Sequence, residues 1–211
     1  MGTTERRERE KQQRRDAILK TAQSLFFDKG FRDTTIDDIA RAAELSRGTI
    51  YLYFESKEEI YATVMEEGLD ILHRMLTESY HEDQDPLSNL LAGHDAFMRF
   101  HDQEGEFYNG LMLDKMQIAD LLPKPLKERL DAKSMKMVLG IAGILEEGIH
   151  QGFFRPMPVQ EVAYLQMGLA IGFAQMRDKC GIGFASDQKQ FKQTMHDLIA
   201  RGIVSRVRQE T

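Results

Sequence analysis

The 211 residues include a single cysteine, Cys180. An intrachain disulfide is therefore impossible, and a fold held by staples is excluded. No apolar run reaches the ~18 residues that would cross a bilayer. The opening stretch, MGTTERRERE, is too charged for a secretory signal, and Arg6 stands where a myristoylation motif needs Ser or Thr. A cytoplasmic protein is the expectation. Catalytic signatures are missing too: there is no phosphate-cradling Gly loop, no G-x-S-x-G and no H-E-x-x-H. Two Glu-x-x-His pairs, Glu78 with His81 and Glu147 with His150, match half of a di-iron set. Both fall at helix ends beside polar residues, and no further inward Glu accompanies them. No enzyme, cofactor or metal is expected. Cys180 follows Lys179 and lies near Arg177, a setting that lowers a thiol pKa, but an inert cysteine is the plainer reading. No strand candidate and no internal repeat is present, so the fold expected is all-α.

Net charge is absent only from the first part of the chain. The net charge is −6, yet through residue 60 twelve Lys and Arg balance twelve Asp and Glu. The whole deficit lies beyond, and a basic run, Arg6 to Arg15, sits near the start. That is a modest electrostatic footprint for a polyanionic partner.

The apolar pattern then organises the chain. Residues 1–10 have no periodicity and read as a disordered charged arm. Ile18, Ala22, Leu25 and Phe26 recur at helical spacing and predict a first helix over about 8–28, stopped at Gly30. Thr35 with Asp38 makes an acidic variant of the capping box, and Ile36, Ile39, Ala40 and Ala43 form one stripe. Glu44 and Leu45 make a turn, and Ser46 caps a second short helix over 47–54. Two helices this short need a third to pack on. The expected core is Phe26, Ile39, Leu45, Ile50 and Phe54.

In that second short helix Ile50 and Phe54 point inward, while Gly48, Thr49, Leu52 and Tyr53 point away, with Arg47 and Tyr51 at the border. A merely soluble helix would carry Lys or Glu there. Gly48 costs ~1 kcal/mol of helix stability relative to Ala but permits close approach of a partner. Hydroxyls suit phosphate oxygens, and the Thr49 methyl or Leu52 suits a thymine methyl. The competing reading is that this face packs on the rest of the chain.

Thr35, the IDDIARAAELS segment, Gly48-Thr-Ile-Tyr51, Tyr53-Phe54 and Ser56-Lys-Glu58 together resemble the DNA-binding domain of TetR-type (tetracycline-repressor-like) transcriptional regulators, over about residues 10–60 and without gaps. The resemblance implies an all-α homodimer on palindromic double-stranded operators. It implies DNA contacts by Arg47, Gly48, Thr49, Tyr51, Leu52 and Tyr53, and backbone-phosphate contacts by Thr35 and Lys57. Tyr53 stands where the family frequently has histidine, and Glu44 where it commonly has glycine. The expected division is a helix-turn-helix domain over 1–55 and a larger helical-bundle, effector-binding and dimerisation domain over 56–211.

Beyond Ser56, whose side chain and Glu59 make a further capping box, helices are expected over about 57–80, 86–102, 105–122, 125–151, 159–180 and 186–208. Breaks fall at Pro86, Pro123, Pro156 and the Gly181–Gly183 stretch. The penultimate helix is apolar nearly all round, which means burial on more than one side. Leu165, Leu169 and Phe173 on it, with Met195, Leu198 and Ile199 on the last, are the expected dimer interface; a monomer core is the alternative. The middle helices are rich in Met and aromatic residues. Phe97, His101, Tyr108, Met112, Met116, Met137, Tyr164 and Met167 are the pocket candidates, with Gln166 as a further polar group and Gly140 and Gly143 leaving room. Plain core is again the alternative. A small hydrophobic effector, acyl or aromatic, is the partner that the resemblance implies besides DNA. A repressor released by such an effector competes with an effector-independent repressor or architectural protein whose large domain only dimerises.

Overall fold

The computed structural model describes residues 3–114, 118, 120–179 and 188–204. They form α1 (Thr3–Asp33), α2 (Ile36–Ala42), α3 (Arg47–Tyr51), α4 (Lys57–Glu78), α5 (Pro86–Gln103), α6 (Gly105–Asn109), a π-helical turn (Gly110–Asp114), α7 (Lys124–His150), α8 (Val159–Lys179) and α9 (Gln188–Ile203). Among the described residues there is no strand beyond one isolated bridge, Phe154 with Val204. No described helix is long and apolar enough to cross a membrane. The fold is all-α, with an N-terminal three-helix helix-turn-helix. The chain divides into two compact units, Met1–Leu69 with Glu106–Ala132, and Asp70–Gly105 with Lys133–Thr211.

In the first unit α1 begins earlier than periodicity predicts. Residues 4–14 are all exposed yet helical, so the arm is not irregular. Its Glu, Arg, Lys and Gln are strong helix formers, and Arg6 with Glu10 at 2.8 Å and Gln12 with Asp16 at 2.7 Å add i,i+4 support. Gly30, at φ 84°, interrupts α1 near its end. The Thr34 hydroxyl closes that corner by donating to the carbonyls of Gly30 at 2.8 Å and Leu25 at 3.2 Å. The core is Ile18, Ala22, Phe26, Ile39, Ala40, Ile50 and Phe54, all buried. Each such side chain contributes about 1.5–3 kcal/mol of burial free energy. Leu45 is only half-buried. Tyr61 of α4 joins this core edge-on to Phe26, ring centres 5.4 Å apart.

The single helix expected over 105–122 is broken. α6 ends at Asn109 and the backbone widens into the π turn. Phe107 of α6 stacks edge-on against Phe27 at 5.2 Å and lies over Gly68, where a Cβ would come within 2.5 Å of its ring. Arg129 of α7 pairs with Glu66 of α4.

In the second unit Leu90, Val138, Ala142, Leu145, Phe154 and Ala163 form the centre of the core. Asp85 caps α5 by accepting from the amides of Leu87 and Ser88, with Pro86 at the first helical position. Phe154 covers Gly148 of α7 so closely that no side chain would fit there.

Candidate DNA-recognition surface and ligand cavity

Local chemistry places the two short helices. Thr35 Oγ1 accepts from the Asp38 amide at 3.1 Å, and Asp38 Oδ2 accepts from the Thr35 amide at 3.0 Å, the reciprocal box expected. Lys29 and Thr35 hold the Asp38 carboxyl well below the usual carboxylate range. α2 ends in a Schellman arrangement: the Glu44 amide donates to the Arg41 carbonyl and the Leu45 amide to the Ala40 carbonyl. Glu44 adopts φ 56°, the left-handed region that glycine occupies most easily. Ser46 then caps α3, accepting from the Thr49 amide at 3.0 Å and sharing a 2.8 Å hydrogen bond with the Thr49 hydroxyl.

α3 is shorter than the 47–54 span predicted, but Phe54 still donates to the Ile50 carbonyl at 3.1 Å, so the chain keeps turning. Leu52 is 78% exposed and Tyr51 44% exposed. Arg47 lies 5.7 Å from the centre of the Tyr51 ring and reaches Asp37 at 3.4 Å. Gly48 is exposed, and the nearest neighbour a Cβ would meet there is Ser46 Oγ, at 3.7 Å. Thr49 and Tyr53 are half-buried, and Thr35 is exposed at its cap. Of the outward face expected of this helix, Gly48 and Leu52 are uncovered and Thr49 and Tyr53 are partly covered. Lys57 is placed differently from an open phosphate contact. Its ammonium donates to the carbonyls of Phe31 and Thr34, both at 2.8 Å, over the Phe31 ring at 4.2 Å. Burial lowers its pKa.

The second unit holds a cavity of about 650 Å³, within the range of small-molecule sites. Of the pocket candidates, Phe97, Met137 and Met167 line it, as do Gln166, Gly140 and Gly143. The others do not. His101 is buried with Nδ1 3.0 Å from Asp102, on the turn of α5 beyond Phe97. Tyr108 is buried in the other compact unit, because the π turn after it belongs there. Met112 sits in that turn, and Met116 lies outside the described residues. Tyr164 is 52% exposed, its hydroxyl 3.5 Å from Met135 Sδ. Periodicity alone did not separate these faces, since a Met or aromatic residue serves a core, a cavity and an interface alike.

His94 is the residue that sequence reasoning passed over. It lines the cavity at 4% exposure, and neither ring nitrogen has a hydrogen-bond partner. The signal was present: Leu90, His94 and Phe97 fall on one stripe of α5, and a polar side chain there is the informative exception. Burial is the main reason its pKa falls to about 4; His196 pushes the same way, and Asp95 and Gln166 oppose. Gln166 stands beside the ring, but no hydrogen bond of proper geometry joins the two, and Gln166 Oε1 is also unpartnered.

On the last two helices the expected interface splits. Leu165, Leu169 and Leu198 are 65%, 51% and 68% exposed. Met195 and Ile199 are instead buried in the chain's own core, with Phe173 packed against it. Two neighbouring stripes of these amphipathic helices, one turned to the core and one exposed, look alike in sequence. Cys180 lies outside the described residues.

Residues 18–64 match the family described as bacterial regulatory proteins, tetR family. The HTH-type transcriptional repressor KstR2 of Mycolicibacterium smegmatis is 30% identical over 147 residues, covering 68% of this chain and 68% of that protein. The structure of the ketosteroid transcriptional regulator KstR2 of Mycobacterium tuberculosis superposes with a TM-score of 0.65 at 23% identity, over 91% of this chain and 95% of that one. The structure of AibR in complex with isovaleryl coenzyme A and operator DNA does so at 0.69 and 19% identity, over 88% and 97%. At these identities the two structural likenesses are of fold.

Proposed function

This chain belongs to the TetR family of bacterial regulatory proteins, and from that premise we propose that it is a repressor that binds palindromic operator DNA as a homodimer and lets go when a small, largely apolar effector enters the second unit. It is a DNA-binding transcriptional regulator and not an enzyme. The observation that carries the finer reading is the presence in one chain of an uncovered α3 and of a large cavity that its own side chains leave unfilled.

Recognition rests on α3. Leu52 and Tyr51 present apolar and hydroxyl-bearing surface that water does not favour, and Gly48 lacks a side chain where the chain itself leaves room for one. Both make sense against base edges and phosphates. The exposed Leu165, Leu169 and Leu198 are surface that a second copy would bury, and a two-fold dimer would carry α3 to two half-sites. The functional boundary is drawn near residue 55, with 1–55 reading DNA and 56–211 sensing and dimerising. α4, which starts at Lys57 and runs on into the second unit, is the covalent link between them. An effector acts only through its different affinity for the two states, typically worth ~1–3 kcal/mol. Isovaleryl coenzyme A accompanies operator DNA in the AibR structure, which supports a sensing role for the large unit. A chain that only dimerised would gain nothing from an unfilled cavity, which disfavours the architectural reading.

The test is Tyr53→Ala, assayed on duplexes selected from random sequence by the protein itself. Binding weakens by about 1 kcal/mol or more, as expected for loss of a base-edge contact, with the dimer intact by light scattering. Unchanged binding would remove Tyr53, in the turn that continues α3, from the readout.

A further inference from the structure

The cavity's polar groups say what kind of ligand it takes. Four buried polar side chains border it: Ser79, Asn89, His94 and Gln166. Two are already committed. The Ser79 hydroxyl donates to the Leu76 carbonyl at 2.7 Å. Asn89 exchanges two 2.9 Å hydrogen bonds with the His81 backbone, closing the loop before α5. The other two are not: both nitrogens of His94 and Oε1 of Gln166 stand without partners inside the cavity wall. A buried polar atom in that condition is costly, and a native site keeps one for a reason.

We propose that the cavity binds an uncharged, largely apolar molecule bearing a hydroxyl group, which His94 and Gln166 engage together. This deepens the effector reading given above and rests on it. Gln166 Oε1 can only accept, so its partner must donate. A neutral imidazole offers one donor and one acceptor. A hydroxyl both donates and accepts and satisfies the pair; a carboxylate only accepts and would set its oxygens against the Oε1 lone pairs. Because its burial keeps His94 neutral near pH 7, no buried cation compensates an anionic head group there. Among its exposed lining residues, Lys136 stands against Glu82 and Glu147. That arrangement lacks the cationic excess a polyphosphate-bearing thioester would require. The remaining wall, including Phe97, Ile141, Ile144 and Met167, is apolar.

The experiment uses the full-length protein and three probes of one shape: 1-decanol, decanoate at pH 7.5, and decyl methyl ether, which accepts but does not donate. By calorimetry 1-decanol binds about tenfold tighter than either, the worth of one hydrogen bond. Gln166→Leu and His94→Phe each shrink the ratio of alcohol to ether affinity about fivefold or more. The two substitutions are made separately so that a folding defect in one leaves the other decisive. Gly143→Leu, which narrows the cavity, weakens all three. Decanoate binding as tightly as the alcohol, a preference that survives both substitutions, or no binding by any probe each overturns the proposal. Release from DNA is read in parallel. An alcohol that binds as described without loosening DNA overturns the effector reading and leaves the ligand class standing. Release by decanoate or an acyl-coenzyme A thioester, with the alcohol inert, overturns the ligand class and leaves the effector reading.

Discussion

Lys57 donates to the backbone carbonyl of Thr34 at 2.8 Å, across twenty-three residues of sequence. The first residue of α4 is thereby fastened to the residue just before the cap of α2. A charged hydrogen bond of this kind contributes about 1.5–3 kcal/mol. Lys57→Met keeps the stem over Phe31 and loses the charge. Urea unfolding without DNA should register that loss, and the slope of DNA affinity against salt should fall by at most about one phosphate. An unchanged unfolding midpoint would return Lys57 to the DNA alone.

Glu44 carries the cost of a left-handed backbone that it does not need for its side chain. A non-glycine residue there pays about 1–2 kcal/mol, although the Schellman hydrogen bonds around it are in place. Glu44→Gly therefore raises the unfolding temperature by a few degrees at unchanged DNA specificity. A fall would mean that the exposed carboxylate contributes more than the strain costs.

The uncovered leucines on α8 and α9 set a prediction about assembly. Leu165→Asp with Leu198→Asp leaves the secondary structure intact, because both side chains lie outside the core. If the chain pairs as proposed, sedimentation shows a dimer for the parent and a monomer for the variant, and operator affinity drops by about a hundredfold or more as the two half-sites lose their link. Met195→Ala serves as contrast: it opens the core and destabilises by about 2–5 kcal/mol.

His94 makes stability depend on pH in a defined direction. Its folded pKa is about 4, below its ordinary value of 6.5. The unfolded chain therefore binds a proton that the folded one refuses between those values. Stability is full above pH 6.5 and falls as the pH drops toward 4, by about 2 kcal/mol at pH 5. Asp95 and His196 face the same ring, so the measurement is the difference between the parent chain and His94→Phe at pH 7.5 and pH 5. Equal loss in both would assign the effect to His196 or to the carboxylates.

Local chemistry was the most legible part of the chain. Thr35 with Asp38, Ser46, and the breaks at Gly30 and Pro86 are decided within four residues of sequence, and the structure uses them as expected. Ile39, Ile50 and Phe54 were legible because three apolar residues on two short helices leave few ways to pack. What was not legible depends on distant partners. No local pattern tells that Lys57 spends its ammonium on Phe31 and Thr34. Tyr108 and Met112 look like Met137 and Met167 until the π turn assigns them to the other unit. His94 and His101 lie on the same stripe of α5 and each is followed by an aspartate; only the three-dimensional structure shows that Nδ1 of His101 reaches Asp102 at 3.0 Å while both nitrogens of His94 stand in the cavity wall without a hydrogen-bond partner.

The exposed opening turns of α1 bear on any salt titration of this protein. Residues 4–14 gain no tertiary burial, so their helix rests on propensity and on pairs such as Arg6 with Glu10. Added salt weakens those pairs and also weakens Arg–phosphate attraction. One variable thus acts twice, first on the order of the arm and then on its charge. A count of phosphates taken from the raw slope will exceed the number touched. Repeating the titration with Arg6 and Glu10 both replaced by Gln, and following arm helicity by circular dichroism, separates the two contributions.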